Sequence, residues 1–382
     1  MGINLMNKAS TPGPMRVLHV VGSMNRAGAE VMLMNLYRIL DRSKLQFDFL
    51  YFTDNACDFD DEIRSLGGQI FILSPNEFRN PLTQMLGLKK LLMANPQIKA
   101  VHLHTLLNSA FCLVAAKWAN VAVRVTHSHN TADVVNPSFI RRVYQTVAKQ
   151  VILAYSTSRV ACTRDAAEYL FNSAEGVTLL PNGFDLDHTL SESEKNTSML
   201  RTLIEAKAEE FILIQVARFN PQKNHRFSID VLKTLQEKNF GCRLALVGDG
   251  SLRQDIQSYA KQQGVADRVF FLGVRTDVPC LLGGADVMLL PSHFEGLGIV
   301  LVESQVTGLP AIVSEGVPQE ADLGVGLITF LPIDEGPEVW SDHIRSKQYA
   351  ASTISSNRLQ RIRDQGYDVE QNIELLESIY SG

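Results

Sequence analysis

Cysteine is scarce and scattered in this chain. Five occur among 382 residues, at positions 57, 112, 162, 242 and 280, and no two form a C-x-x-C pair. That excludes a zinc ribbon and a disulfide framework, and it suits a reducing compartment. Long apolar runs are missing as well: none reaches the ~18 residues that a membrane span requires. The first fourteen residues (MGINLMNKASTPGP) have no apolar centre. They do not read as a secretory signal, and a flexible leader over 1–14 on a cytoplasmic protein is expected. Basic excess is absent too, since the net charge is −5. A dedicated nucleic-acid binder would usually be basic, so no nucleic-acid partner is expected.

What the chain does have is alternation. Short apolar runs rich in β-branched residues fall at 16–22, 47–52, 69–73, 98–104, 121–127, 158–163 and 177–181, with amphipathic stretches such as Ala29–Asp41, Leu82–Ala94 and Ser109–Ala119 between them. Near-continuous apolar strands separated by helices indicate a parallel sheet covered on both faces. The pattern lapses over 190–199 (LSESEKNTSM), which reads as a linker, and resumes at 211–217, 243–248, 268–273, 285–291, 310–314 and 326–330. The fold class is therefore α/β, with two doubly wound Rossmann-like domains, 15–189 and 200–354, facing a central cleft. Residues 355–382 are polar and helical in pattern. In open α/β sheets ligands sit beyond the carboxyl ends of the strands.

The most informative segment is 292–303 (SHFEGLGIVLVE). It follows a strand-like run and opens an apolar helix, 299–307, that Gly308 and Pro310 stop. The turn before it offers free backbone N–H groups at a helix N-terminus, where a phosphate binds well. Glu295 precedes that turn. Glu303 lies inside the apolar run, where a carboxylate is costly unless something hydrogen-bonds it. A phosphate-bearing ligand with hydroxyl groups would satisfy all three features.

Other motifs fall at strand ends. Arg218 and Lys223 lie five residues apart just beyond the strand FILIQVA. Such a pair can clamp a diphosphate, Arg by a forked contact and Lys as a point charge, and can stabilise a departing phosphate. Gly22 and Gly28 bound a strand-to-helix turn that is not G-x-G-x-x-G, so the dinucleotide fingerprint is lacking. Gly248, and Gly273 with Val274, end two further strands and could meet a ligand through backbone. His102/His104 and His127/His129 are His-x-His pairs whose members share a strand face. No acidic cluster completes a metal site by sequence, so no metal is expected; an imidazole hydrogen-bonded to substrate is the favoured role. Asp58-x-Asp60 and Asp185-x-Asp187 read as helix-opening and turn acids. From 134 to 164 there is no acidic residue, while five Arg or Lys and three aromatic residues occur. That stretch is either a solvated helix face or a contact with anionic lipid.

With these residues in hand, the chain resembles glycosyltransferase family 4, the retaining transferases of GT-B fold, in its capsular and exopolysaccharide branch. The matching pieces are RVLHVVGSMNRAGAE, VRVTHSHNT, VACTRDAAEYLF, LLPNGFD, VARFNPQKNH, LVGDG, VFFLGVRTDV and LPSHFEGLGIVLVESQVTGLPAIVS. They span roughly 15–340. The resemblance implies a donor nucleotide-diphosphate sugar, with UDP favoured over GDP, and a saccharide acceptor, lipid-linked, at the inner face of the plasma membrane. It implies that Arg218 and Lys223 bind the diphosphate and that Glu295 holds hydroxyls of the transferred sugar. Leu297, Gly298 and Ile299 would meet the phosphate, and Glu303 the ribose. Gly28 would belong to the loop over the diphosphate. His129, with His127 as the alternative register, would face the sugar. The final helix, within 355–382, would cross back to the first domain. Ala27 stands where relatives place a further glycine.

The implied reaction is metal-independent transfer with retention, needing no cofactor beyond the donor. Two rivals share the fold features. A nucleotide-sugar epimerase would need no acceptor, and a partner subunit of a polysaccharide assembly complex would need no turnover. A metal-dependent hydrolase built on the His-x-His pairs is a third reading.

Overall fold

A computed structural model describes residues 13–26, 28–73, 80–129, 138–295, 297–346 and 357–381. Most of the leader, Ala27, Gly296, residues 134–137 of the basic stretch and the 354/355 boundary lie outside the described residues. The chain divides into two compact units. One comprises Met1–Gly183 with Val369–Gly382, the other Phe184–Asp368.

The first unit holds seven parallel strands: β1 (Met15–Val21), β2 (Leu45–Tyr51), β3 (Ile70–Ile72), β4 (Ile98–Leu103), β5 (Val123–Ser128), β6 (Ser158–Ala161) and β7 (Thr178–Leu179). Their order is β3-β2-β1-β4-β5-β6-β7. The second unit holds β8 (Phe211–Val216), β9 (Cys242–Val247), β10 (Val269–Gly273), β11 (Val287–Leu290), β12 (Ala311–Ser314) and β13 (Ile328–Leu331). Their order is β10-β9-β8-β11-β12-β13. In both sheets the winding reverses beside the first strand, between β1 and β4 and between β8 and β11. Loops leaving such a pair part to opposite faces and open a crevice beyond the carboxyl ends.

Burial explains the strand composition. β2, β11 and β12 are buried at every residue, because helices cover both sheet faces. The helices carry apolar stripes instead. His225–Glu237, for example, buries Phe227, Ile229, Val231, Leu232 and Leu235. The strand runs read from sequence all form strands, and 299–307 forms the helix Ile299–Thr307.

The stretch read as a linker does not behave as one. Its residues lie in the helices Leu186–Lys195 and Met199–Leu203 and the short turn between them, inside the second unit. Asp185 caps the first of these, accepting from the His188 N–H at 2.8 Å. Packing compensates for the polar composition. Leu186, Thr189 and Ser193 are buried, and Cys280 donates its thiol to the Glu192 carbonyl at 3.0 Å. The unit boundary therefore falls at Gly183, ahead of the polar run. The C-terminal stretch is also divided. Arg358–Asp364 packs in the second unit, whereas Val369–Ser381 belongs to the first, where Val369, Leu376 and Tyr380 complete a core with Val17, Tyr37 and Phe47. Among the described residues, no helix is long and apolar enough to cross a membrane.

One buried side chain pins the helix Ile299–Thr307. Gln305 is wholly buried. It donates to the Leu301 and Ala321 carbonyls at 2.9 and 2.8 Å and accepts from the Leu323 N–H at 2.9 Å. Gln305→Leu would strand the last two groups in the interior, so urea denaturation should show a loss of about 3 kcal/mol.

Candidate functional site

At the β8/β11 crevice of the second unit, two loops meet. The segment after β8 carries Arg218 and a 3-10 turn, Pro221–Lys223. Asn220 caps this turn by accepting from the Lys223 N–H at 3.1 Å. Gln215, buried at the end of β8, donates to the Lys223 carbonyl at 2.8 Å and accepts from Ser228 at 2.8 Å. The loop after β11 is tied to this turn. The His293 N–H donates to the Gln222 carbonyl, and Gln222 Nε2 to the Phe294 carbonyl, both at 2.8 Å.

This framework brings Lys223 to Glu295. Nζ lies 2.5 and 2.6 Å from the two carboxylate oxygens. Ser292 donates to the same carboxylate at 2.6 Å, and the Ser292 carbonyl accepts from Ser314. The Glu295 N–H reaches the Gly316 carbonyl at 3.0 Å. A Cβ at Gly316 would fall 2.2 Å from the His293 carbonyl oxygen, so only glycine lets β12 approach the loop. The Lys223 and Glu295 side chains are 19% and 4% exposed, so the pair is well shielded from solvent.

Two charges here have no such partner. Arg218 is exposed and, among the described residues, its guanidinium has no hydrogen bond or ion pair. Glu303 lies one turn into the helix Ile299–Thr307, half-buried, and its carboxylate likewise has no partner among the described residues. Desolvation pushes its pKa from the ordinary 4.5 up to about 7. Leu297, Gly298 and Ile299 form the entry to that helix. Gly298 takes φ +70° as the residue before it, a conformation a side chain would strain. The short N-terminal turn and the unpaired cation suit an anion, and the carboxylate suits a hydroxyl pair.

The neighbouring strand ends are close-packed. Gly248 ends β9 at φ +133°, and a Cβ there would lie 2.1 Å from the Ala217 oxygen. Its N–H donates to the Gly273 carbonyl at 2.8 Å. Val274, the next residue, is exposed. A hollow of about 250 Å³ lies on the other side of the 3-10 turn, between Asn224, His225, Leu252 and His293; Arg218, Glu295 and Glu303 do not line it.

In the first unit, Gly28 opens the exposed start of the helix Gly28–Ile39. His127 lies buried in β5, and among the described residues neither ring nitrogen has a partner. His129, just beyond β5, is half-buried, with its ring bonded to His104 at 2.8 Å. The two His-x-His pairs, read separately from sequence, come together here. They are joined by His19 from β1, a residue passed over in the sequence; a histidine inside the apolar run RVLHVVG was the available signal. The ring nitrogens of His19, His102 and His104, and those of His104, His127 and His129, lie within 4.8 Å of one another. The Asp pairs play local roles. Asp60 accepts from Tyr51 and from the Cys57 N–H, and Asp187 pairs with Arg363.

Residues 26–188 match the family model described as Glycosyltransferase Family 4, and residues 201–325 match that of Glycosyl transferases group 1. A Bacillus subtilis protein named as a glycosyltransferase, EpsF, is 38% identical over 370 residues, 96% of each chain. The chain belongs to glycosyltransferase family 4. A second family member, UDP-Gal:alpha-D-GlcNAc-diphosphoundecaprenol alpha-1,3-galactosyltransferase of Escherichia coli, is 28% identical over 232 residues, 58% of this chain and 59% of that one. Among solved structures, Anabaena HepE in complex with UDP and glucose superposes with a TM-score of 0.73 at 21% identity, covering 96% of this chain and 99% of that one. The fold is thus GT-B, two Rossmann-like units with parallel sheets.

The raised pKa of Glu303 has a consequence for stability. The folded state holds this proton more tightly than the unfolded chain, so stability is lost as pH rises from 4.5 to about 7. Glu303→Gln removes that loss. Ligand-free protein carrying it should exceed wild type by ~1–3 kcal/mol in urea denaturation at pH 8. The gain should disappear as pH falls to about 4.5.

Proposed function

We propose that this glycosyltransferase moves a sugar from a UDP-sugar to a lipid-linked saccharide in surface polysaccharide synthesis, with retention of anomeric configuration and without a metal. The observation that carries the donor assignment is the pair of unpartnered charges at the β8/β11 crevice, the cation of Arg218 and the desolvated carboxylate of Glu303. A nucleoside diphosphate sugar offers each its complement. The diphosphate meets Arg218, Lys223 and the backbone at Leu297, Gly298 and Ile299, while the ribose hydroxyls donate to Glu303. Glu295, oriented by Lys223 and Ser292, holds hydroxyls of the transferred sugar. The backbone at Gly248, Gly273 and Val274 borders the base. Gly28 belongs to the loop over the diphosphate, and the sugar is met by the imidazole of His129, or of His127 in the alternative register.

The chemistry follows from charge. As the sugar–phosphate bond breaks, the sugar gains oxocarbenium character and the diphosphate gains negative charge. Arg218 and Lys223 supply the positive field that a bound metal supplies in other transferases. With retention, the acceptor hydroxyl enters on the departing side and a phosphate oxygen takes its proton, so no side-chain base is required.

Two features support the acceptor assignment. The E. coli relative acts, by its name, on a diphosphoundecaprenol acceptor. In addition, the helix Phe139–Tyr155 exposes Phe139, Ile140, Val143 and Val147 beside Arg142. An apolar face with adjacent cations suits peripheral contact with an anionic bilayer, at the cytoplasmic face of the plasma membrane.

Calorimetric titration with UDP should show markedly weaker binding in Glu303→Ala and near wild-type affinity in Glu295→Ala. Turnover of donor with acceptor should fall mainly in the latter. Arg218→Ala should lower kcat by about 10²–10³. Unchanged UDP affinity in Glu303→Ala would sink the ribose assignment, and sugar epimerisation without an acceptor would replace transfer with the rival chemistry.

A further inference from the structure

Five imidazoles gather at the β1/β4 crevice of the first unit. Register places His19 of β1 beside His102 of β4. The His102 and His104 rings lie 4.4 Å apart, and those of His127 and His129 4.0 Å apart. Three of the five form a continuous hydrogen-bonded line. His129 Nε2 is 2.8 Å from His104 Nδ1, and His104 Nε2 is 3.1 Å from His19 Nδ1. The line ends at His19 Nε2, which is buried and has no partner among the described residues. Around that end stand Phe47 and Phe49, with ring centroids 4.2 and 5.6 Å from His19. His102 is held separately, by a 2.5 Å bond to Tyr380.

We propose that His19 and His104 are positioning residues that lock His129 in one tautomer, with Nε2 accepting from His104 and Nδ1–H left outside the line as a hydrogen-bond donor. The role of that donor toward a sugar hydroxyl rests on the transfer reading above. The lock itself does not.

Proton counting sets the direction of the line. A neutral imidazole carries one N–H and one lone pair. His104 is bonded at both nitrogens, so it donates at one and accepts at the other. Both N···N bonds must then run in the same direction, and the three tautomers are set together. If the protons point away from His129, the line ends with an N–H on His19 Nε2, buried against aromatic rings with no acceptor. If they point toward His129, the line ends with a bare lone pair at that atom. An orphaned buried N–H is the rarer and costlier outcome. The second arrangement is therefore favoured, and it leaves the proton of each of the three rings on Nδ1.

Burial keeps the line neutral. Desolvation lowers His19 to about 3, His129 to about 4, and His104 well below its ordinary range. The array does not store a proton at neutral pH. It fixes which nitrogen of His129 carries the hydrogen and what the nitrogen outside the line can do.

The test is ¹⁵N nuclear magnetic resonance on the ligand-free full-length chain at neutral pH. Long-range proton–nitrogen correlations report which ring nitrogen carries hydrogen. The lock predicts Nδ1–H on His19, His104 and His129. In His19→Phe the line loses its terminal donor, and the His129 signals should shift toward a mixture of tautomers. In the transfer assay the same variant should lose kcat by about 10–100-fold, the loss typical when the hydrogen-bond partners behind metal-ligating histidines are removed, with donor KM little changed. Nε2–H on His129 in the wild type would overturn the lock. So would cluster signals that shift on treatment with chelator, because a metal ion would then organise the rings. The wild-type spectrum decides the matter even if His19→Phe fails to fold. It is read without substrate, so its outcome is separate from that of the transfer assay.

Discussion

Parallel strands buried on both faces have room for few polar groups, and those they carry must be paired inside the protein or sit at the strand ends. That constraint organises both units. Side chains along β11 are wholly apolar, the buried polar ones of β2 and β12 (Gln46, Asp48 and Ser314) are each tied up in internal hydrogen bonds, and the charged groups proposed to meet a ligand lie beyond the carboxyl edge. Where the winding reverses, between β8 and β11, two such edges adjoin with no loop crossing over them. Arg218, Lys223, Glu295 and Glu303 belong to the two connections that leave this point. The corresponding point of the first sheet, between β1 and β4, carries the imidazoles.

The second-unit site mixes satisfied and unsatisfied groups, and the mixture is informative. Lys223 and Glu295 neutralise each other, and Ser292, Gln215 and Asn220 hold them and their backbone in place. Such a pair is set before any ligand arrives, which limits the reorganisation that binding requires. Arg218 and Glu303 are the reverse case. One is left in solvent, and the other is desolvated at a cost that the ligand-free protein bears. On the proposed reading, the donor relieves both, so part of its affinity comes from strain already present in the empty protein.

Much of this was legible in the sequence, for a physical reason. Strands buried on both faces are largely apolar, so β1, β8 and β11 stand out as runs, and glycine-bearing turns mark their ends. Glu303 was legible because a carboxylate inside IVLVESQV is costly without a partner. Other features were not, because they depend on partners far apart in the chain. The polar run after Leu190 looked like a linker since its composition is all that sequence displays; only packing against Cys280 and Gly283 makes it a helix of the second unit. The Lys223–Glu295 pair spans 72 positions. The imidazole line joins three strand ends, and His19 enters it only where β1 lies beside β4.

The helix Val369–Ser381 finishes the core of the unit that the chain began, with Tyr380 set against His102 and Phe47. During synthesis, the first 183 residues leave the ribosome long before the segment that seals them. The later unit, by contrast, holds all of its strands once Asp368 has emerged. Vectorial order and structural order are therefore opposed: the unit begun first is completed by a segment made after the whole of the second, and a nascent chain cut before Val369 lacks that closure.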